Sequence, residues 1–258
     1  TYDMTVKMMI NHKKEPFSHK EIRQALAYAI DREGLVQIIN RGFALAGSAG
    51  VLPADSPWFN DGVEKYEHNP EKARQLIESL GYTEKDGFYE KNGQVLSCEL
   101  LVIEQYNRDA EFIKTELEKV GIKVILKGIE IKTLDVKVNE WNFDLAINDH
   151  GGLGGDPVML KRITTGDLIV SIKYTQNDVL NRILDEQISE MDAEKRKGLL
   201  NQAQQVIAQD VPVLTLYYPD TYFAFNEKAD LYFTPGGLGT GVPHPYNKMI
   251  FLANDNFR

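Results

Sequence analysis

Apolar and polar positions alternate along this chain with two periods, and the switch between them marks out the elements. Thr5–Asn11 reads as a strand, broken by Pro16-Phe17. Ile22, Ala25, Leu26, Ala29 and Ile30 then recur at helical spacing. Ser18-His-Lys-Glu21 just before them has the spacing of a capping box. Asp31 can cap a second helix over Arg32–Asn40, ended by Gly42. Residues 41–68 show no period, and so long an irregular stretch is expected to pack on the surface or to serve function. Asn69-Pro70 opens a helix to Leu80 with Gly81 as its stop, and Asn92-Gly93 marks a tight hairpin.

The most regular region follows. Val95–Ile103, Ile122–Ile129 and Phe143–Ile147 read as strands, separated by helices over Arg108–Val120 and Lys132–Asn139. Phe112, Ile113, Leu117 and Val120 share one face of the first helix. Strand, helix, strand, helix, strand predicts right-handed crossovers and a parallel sheet, hence an α/β class. Further helices are expected from Asp156, over Asn177–Glu190 and over Ala193–Gln209, the last capped by Asp192. Pro212–Tyr218 and Thr221–Phe225 read as strands around Pro219-Asp220. The tail, Tyr232–Asn256, is rich in Gly, Pro and aromatics.

The last strand of the regular region runs into Asn148–Gly155, polar and then glycine-rich, before Asp156-Pro157 starts a helix. A strand opening through glycines onto a helix N-terminus exposes backbone donors and is a place for binding. It is not a nucleotide cradle. The third glycine of a dinucleotide fingerprint is missing, and no Gly-Lys-Ser/Thr follows. In an open parallel sheet, ligands sit beyond the carboxyl ends of the strands. Three segments leave such ends: Glu104-Gln105-Tyr106, Glu130-Ile131 and Asn148–Gly155. Glu104, Tyr106, Asp149 and His150 are therefore expected to share one rim, either as a site or as ordinary loop polar groups.

Composition narrows the chemistry. The 258 residues are 43% hydrophobic and 26% charged, enough for one large or two modest domains, and the net charge of −9 argues against a nucleic-acid partner. The one cysteine, Cys98, lies in an apolar run and predicts a core residue, with neither disulfide nor Cys-based metal site. Five histidines are scattered without a paired metal motif. Asp149, His150 and Asp156 form the one group that could approach a metal, and no metal or cofactor is expected. No nucleophile elbow or acid/base set stands out, so binding without catalysis is the expectation. The first residues carry no initiator Met and no signal-peptide pattern, which suggests a mature or excised chain.

The order of motifs resembles a known family. Pro16-Phe-Ser-His-Lys-Glu-Ile-Arg23-Gln24-Ala25-Leu26-Ala-Tyr-Ala-Ile30-Asp31-Arg32 is similar to the signature of the extracellular solute-binding proteins of peptide, nickel and opine importers. The stretch Gly42–Pro53, the helix His68-Asn-Pro-Glu-Lys-Ala…Leu80-Gly81-Tyr82, the run Leu117…Gly121-Ile122-Lys-Val124, then Phe143-Asp144-Leu145 and Asp156-Pro157 follow in the family's order, from about Asn11 to Tyr218. The resemblance implies a lobe of the periplasmic binding protein type II kind, with an open, mainly parallel sheet flanked by helices. Residues 1–218 would form the C-terminal solute-binding lobe. Residues 219–258 would return toward an N-terminal lobe contributed by a longer chain. It further implies a solute held between two lobes and delivered to an ABC permease, outside the cell or in the periplasm, with a lipid anchor in some members. An oligopeptide is the first solute implied, with a nickel chelate or an opine as the alternative. The contacts would come from Glu104, Tyr106, Asn148, Asp149, His150, Gly151, Gly152, Leu153, Gly154 and Gly155. Many peptide binders place an acid in the loop just before Asp-Pro, where Leu153 stands here. The alternative class is a hydrolase using Asp149 and His150 as acid/base partners. A third is a regulatory relative that senses peptides.

Overall fold

The computed structural model describes residues 2, 4–153, 155–166 and 171–222. Strand β1 (Thr5–Ile10) is buried along its whole length. Helix α1 (Lys20–Ala29) turns the predicted stripe inward: Ile22, Ala25, Leu26 and Ala29 are all fully buried. The capping box before it does not form. Ser18 Oγ donates to Glu15 Oε1 at 2.5 Å, so the hydroxyl is spent on the preceding turn, and His19 takes the cap position without a side-chain bond. Asp31 does cap α2 (Arg32–Ile38), accepting from Gly34 N at 2.8 Å. The irregular stretch after it contains a three-residue strand, β2 (Ala44–Ala46). It is held down by Arg32, whose guanidinium donates to the carbonyls of Gly47, Lys65 and Tyr66.

Helix α3 (Pro70–Ser79) starts on Asn69, whose Oδ1 accepts from Lys72 N at 3.0 Å. A separate small sheet follows, β3 (Thr83–Lys85), β4 (Phe88–Lys91) and β5 (Gln94–Val95). Asn92 and Gly93 both have positive φ, at 53° and 76°, the left-handed pair a two-residue hairpin needs. Then come β6 (Ser97–Val102), a 3₁₀ turn over Glu104–Tyr106, α4 (Asn107–Lys119), β7 (Lys123–Gly128), α5 (Ile131–Asn139) and β8 (Leu145–His150). Three helices, α6 (Val158–Thr164), α7 (Asp178–Ser189) and α8 (Ala193–Asp210), lead to β9 (Val213–Pro219). Thr221 and Tyr222 lie outside any strand, while 223–225 and the tail Tyr232–Asn256 fall outside the described residues.

The main sheet has the order β2-β9-β1-β8-β6-β7. β6 is parallel to both β7 and β8, as the alternation of strands and helices predicted. β1 runs antiparallel between β8 and β9, and β2 antiparallel to β9. Four of the six strands, β7, β6, β8 and β9, thus point the same way, which makes the sheet mainly parallel in strand direction. Cys98 is buried in β6, and burial pushes its thiol up to about 12, so it stays an inert core residue.

One buried cation ties the first helix to the last. Arg23 donates through Nε to Asp210 O and Val211 O, at 2.8 and 3.2 Å, and through Nη1 to Phe17 O and Ser18 O, both at 2.8 Å. Those carbonyls belong to the turn before α1 and the end of α8. Removing the guanidinium leaves buried acceptors without donors. Arg23→Leu is therefore expected to lower the unfolding free energy by about 3 kcal/mol or more, read from urea unfolding. A loss below about 1 kcal/mol would mean that water replaces the clasp.

Candidate functional site

The carboxyl ends of β6, β7 and β8 meet on one edge of the sheet. The chain leaves β6 through α4 to reach β7 on one side, then returns through α5 to β8 on the other. The switch point therefore lies between β6 and β8, where a sheet of this kind opens a crevice. Residues just after β6 and at the end of β8 converge there. Tyr106 Oη and Gln105 Nε2 both donate to Asp149 Oδ2, the second at 3.1 Å. Burial first, and the Asp149 bond second, hold the Tyr106 phenol above its usual range. Behind this pair, Tyr217 Oη of β9 donates to the buried Asp109 of α4 at 2.9 Å.

Asn148, Asp149 and His150 do not leave the sheet as a loop. β8 continues through His150, because these polar residues still pair with β1: Thr5 faces His150, Val6 faces Asp149 and Lys7 faces Asn148. Neighbours along a strand point to opposite faces. Asp149 shares the face of Tyr106, whereas Asn148 and His150 share the other with Thr5 and Lys7. Asp149 and His150 are consequently not an acid/base pair. Burial, with the Lys7 charge second, depresses His150 to about 3, so its imidazole is neutral near neutrality. Burial also lowers Lys7 to about 7, against the opposing pull of Asp149.

The remaining expected contacts divide as follows. Glu104 is exposed and lines an open groove of about 950 Å³ with Gln105, Gly128 and Glu130, between the ends of β6 and β7. Gly151, Gly152 and Gly155 are half-buried, and Gly154 lies outside the described residues. Gly152 has φ +97°, a left-handed backbone conformation that favours glycine whatever space surrounds it. Leu153 is buried and anchors the loop in the core. Asp156 Oδ1 accepts from Val158 N at 2.8 Å at the start of α6 and from Arg196 Nη2 at 2.9 Å. It braces the loop rather than joining Asp149 and His150 around a metal, and no metal-ligand cluster occurs among the described residues. Thr5 and Lys7 were not foreseen as part of this edge, and Gln105 was placed there by its segment but not named as a contact. The alternate polar positions Thr5 and Lys7 in an otherwise apolar strand were the available signal.

Residues 1–165 match the family model for bacterial extracellular solute-binding proteins, family 5 Middle. The oligopeptide-binding protein AppA of Bacillus subtilis is 28% identical over 236 residues, covering 86% of this chain and 42% of that protein. The nickel-binding periplasmic protein of Escherichia coli is 30% identical over 159 residues, covering 59% of this chain and 30% of that one. The structure of AppA in complex with a nonapeptide superposes with a TM-score of 0.74 at 25% identity, covering 84% of this chain and 45% of that structure. The chain thus spans less than half the length of these relatives. No helix among the described residues is long and apolar enough to cross a membrane.

Two buried neutral histidines make stability depend on acid. His12 lies edge-on between Trp141 and Tyr174, with ring centroids at 4.7 and 4.9 Å, and burial lowers it to about 4. In the unfolded chain both titrate near 6.5. Below that pH the unfolded state binds more protons, so stability present above about 6.5 is lost as pH falls toward 4. The expected slope is on the order of 1 kcal/mol per pH unit for each histidine. Urea unfolding at stepped pH checks it, and His150→Gln and His12→Phe should each remove about half of the slope.

Proposed function

The chain belongs to the bacterial extracellular solute-binding proteins, family 5, and on that footing we propose that the intact protein is the solute-binding component of an ABC importer. It acts in the periplasm or at the outer cell surface. Residues 1–218 form one lobe, the solute sits between this lobe and a second one, and the closed form is what the permease subunits recognise. The carrying observation is the edge at the switch point: the ends of β6 and β8, with a glycine-rich loop beyond β8, form a wall that backbone groups can line closely. Closure needs no chemistry, only a higher affinity of the solute for the closed form than for the open one. The protein is not an enzyme in this reading. The separation of Asp149 from His150 across the sheet supports that, since a general acid and base must reach the same substrate.

The first solute class is an oligopeptide, in keeping with AppA. A nickel chelate is the second, favoured by the likeness to the Escherichia coli nickel-binding protein and by the engagement of the loop acids. Asp149 is held by Tyr106 and Gln105, Asp156 by Arg196 and α6, and Leu153 is in the core. Among the described residues, Glu104 and Glu130 are exposed carboxylates to the side of the switch point, and Asp156 is exposed but held by Arg196.

A thermal-shift screen of the intact protein against peptides, nickel chelates and opines should find a stabilising solute. At a hundredfold excess over Kd the gain is about 2.7 kcal/mol, visible as a rise of several degrees in Tm. No response from any class would overturn the reading, as would turnover on ester, peptide or phosphate substrates that is abolished by Asp149→Asn.

A further inference from the structure

The irregular stretch 41–68 takes no part in the edge at the switch point, yet it folds around a hollow of its own. A cavity of about 390 Å³ lies between the start of α2, the end of β2 and the segment 59–68. Small-molecule sites run from about 300 to 1,000 Å³. β2 stands at the far edge of the sheet, in the order β2-β9-β1-β8. At about 4.8 Å per strand, the hollow is about 14 Å or more from the switch point. Its walls are fixed in advance. Arg32 donates to the carbonyl of Gly47 on one side and to those of Lys65 and Tyr66 on the other. Tyr66, itself a lining residue, donates from Oη to Ala208 O at 2.8 Å, which ties that wall to α8. A preformed hollow spares a ligand the cost of ordering it.

The lining has two parts. Ala49 and Val63 are buried, Leu45 and Phe59 half-buried, and together they make an apolar floor. Glu33, Asp61, Glu64 and Glu67 are exposed and stand at the mouth. The cations beside them are engaged: Arg32 on carbonyls, and Lys65 Nζ with Asp61 Oδ1 at 3.1 Å. Glu33 and Glu67 make no hydrogen bond or ion pair among the described residues. The mouth therefore carries negative charge over an apolar floor. Its acids do not converge as a metal site would require, since no metal-holding group of His, Cys, Asp and Glu occurs among the described residues. A bare metal ion finds no ligand set here, whereas a cation with an apolar body matches both parts of the lining.

We propose that this hollow is a second binding site, separate from the solute edge, for a small organic cation: an ammonium group on an apolar body. The body fills the floor formed by Leu45, Ala49, Phe59 and Val63, and the ammonium sits at the mouth with Glu33 and Glu67.

Calorimetric titration of the intact protein with phenethylamine tests this, with phenylacetate and ethylamine as controls. Phenethylamine is expected to bind roughly tenfold or more tighter than either, because phenylacetate reverses the charge and ethylamine lacks the body. Its affinity should fall as salt is raised. Replacing both Glu33→Gln and Glu67→Gln should weaken it by about tenfold. Ala54→Arg, which sets a cation in the lining, should weaken it by roughly tenfold or more. Positions 33, 54 and 67 are exposed, so the Tm of the empty protein should not move. Equal binding of phenylacetate would overturn the cation assignment, and equal binding of ethylamine the apolar body. No binding of phenethylamine at millimolar concentration would overturn the site. Full affinity in the double variant and in Ala54→Arg would place the amine elsewhere on the protein and overturn it as well.

Discussion

The ladder on both sides of β1 is the constraint on which the rest of the lobe depends. The β6-α4-β7-α5-β8 unit by itself ends in a bare strand edge at β8, a row of unpaired backbone groups. β1 covers that edge from Thr5 to Ile10 and offers its own second edge to β9. The start of the described chain is thereby placed at the centre of the sheet, between the parallel unit and the strand that follows α8. Register matters here more than anywhere else. A slip of one residue would send Lys7 to the face of Tyr106 and Asp149 and bring Val6 into the polar row.

The second fixed point is Arg23, which joins the turn before α1 to the exit of α8 through four carbonyl contacts. It sets where β9 begins, and so where β9 meets β1. A charge this deeply buried is tolerated because each N–H it uses finds an oxygen, and the site it closes is made wholly of backbone. The edge at the switch point follows a related logic. Its carboxylates at 149 and 156 are held by phenol, amide, guanidinium and helix N–H, which keeps the loop between them in place.

Much of this was legible in the sequence where local chemistry decides. The stripe of α1, the Asn69 cap, the Asn92-Gly93 hairpin and the strand–helix alternation from Val95 to Ile147 each follow from a few neighbouring residues. The capping box at Ser18 was not, because Glu15 competes for the same hydroxyl. β2 was missed because three residues leave no period to read. The place of β1 depends on pairing across the length of the chain, which periodicity does not encode. For the site, the convergence of Tyr106 and Asp149 was readable from strand ends. The division of Asn148, Asp149 and His150 between two faces was not, since their polarity reads as a loop. Only β1 alongside them makes it a strand.

The alternation along the end of β8 has a consequence for how such a protein can change. Position 149 is braced by Tyr106 and Gln105 on one face, while 148 and 150 are buried on the other beside Lys7 and Thr5. Substitutions at 149 and at its two neighbours therefore disturb different sides of the sheet although the residues are adjacent in the chain. Change on one side of the sheet end can then accumulate without loosening the other.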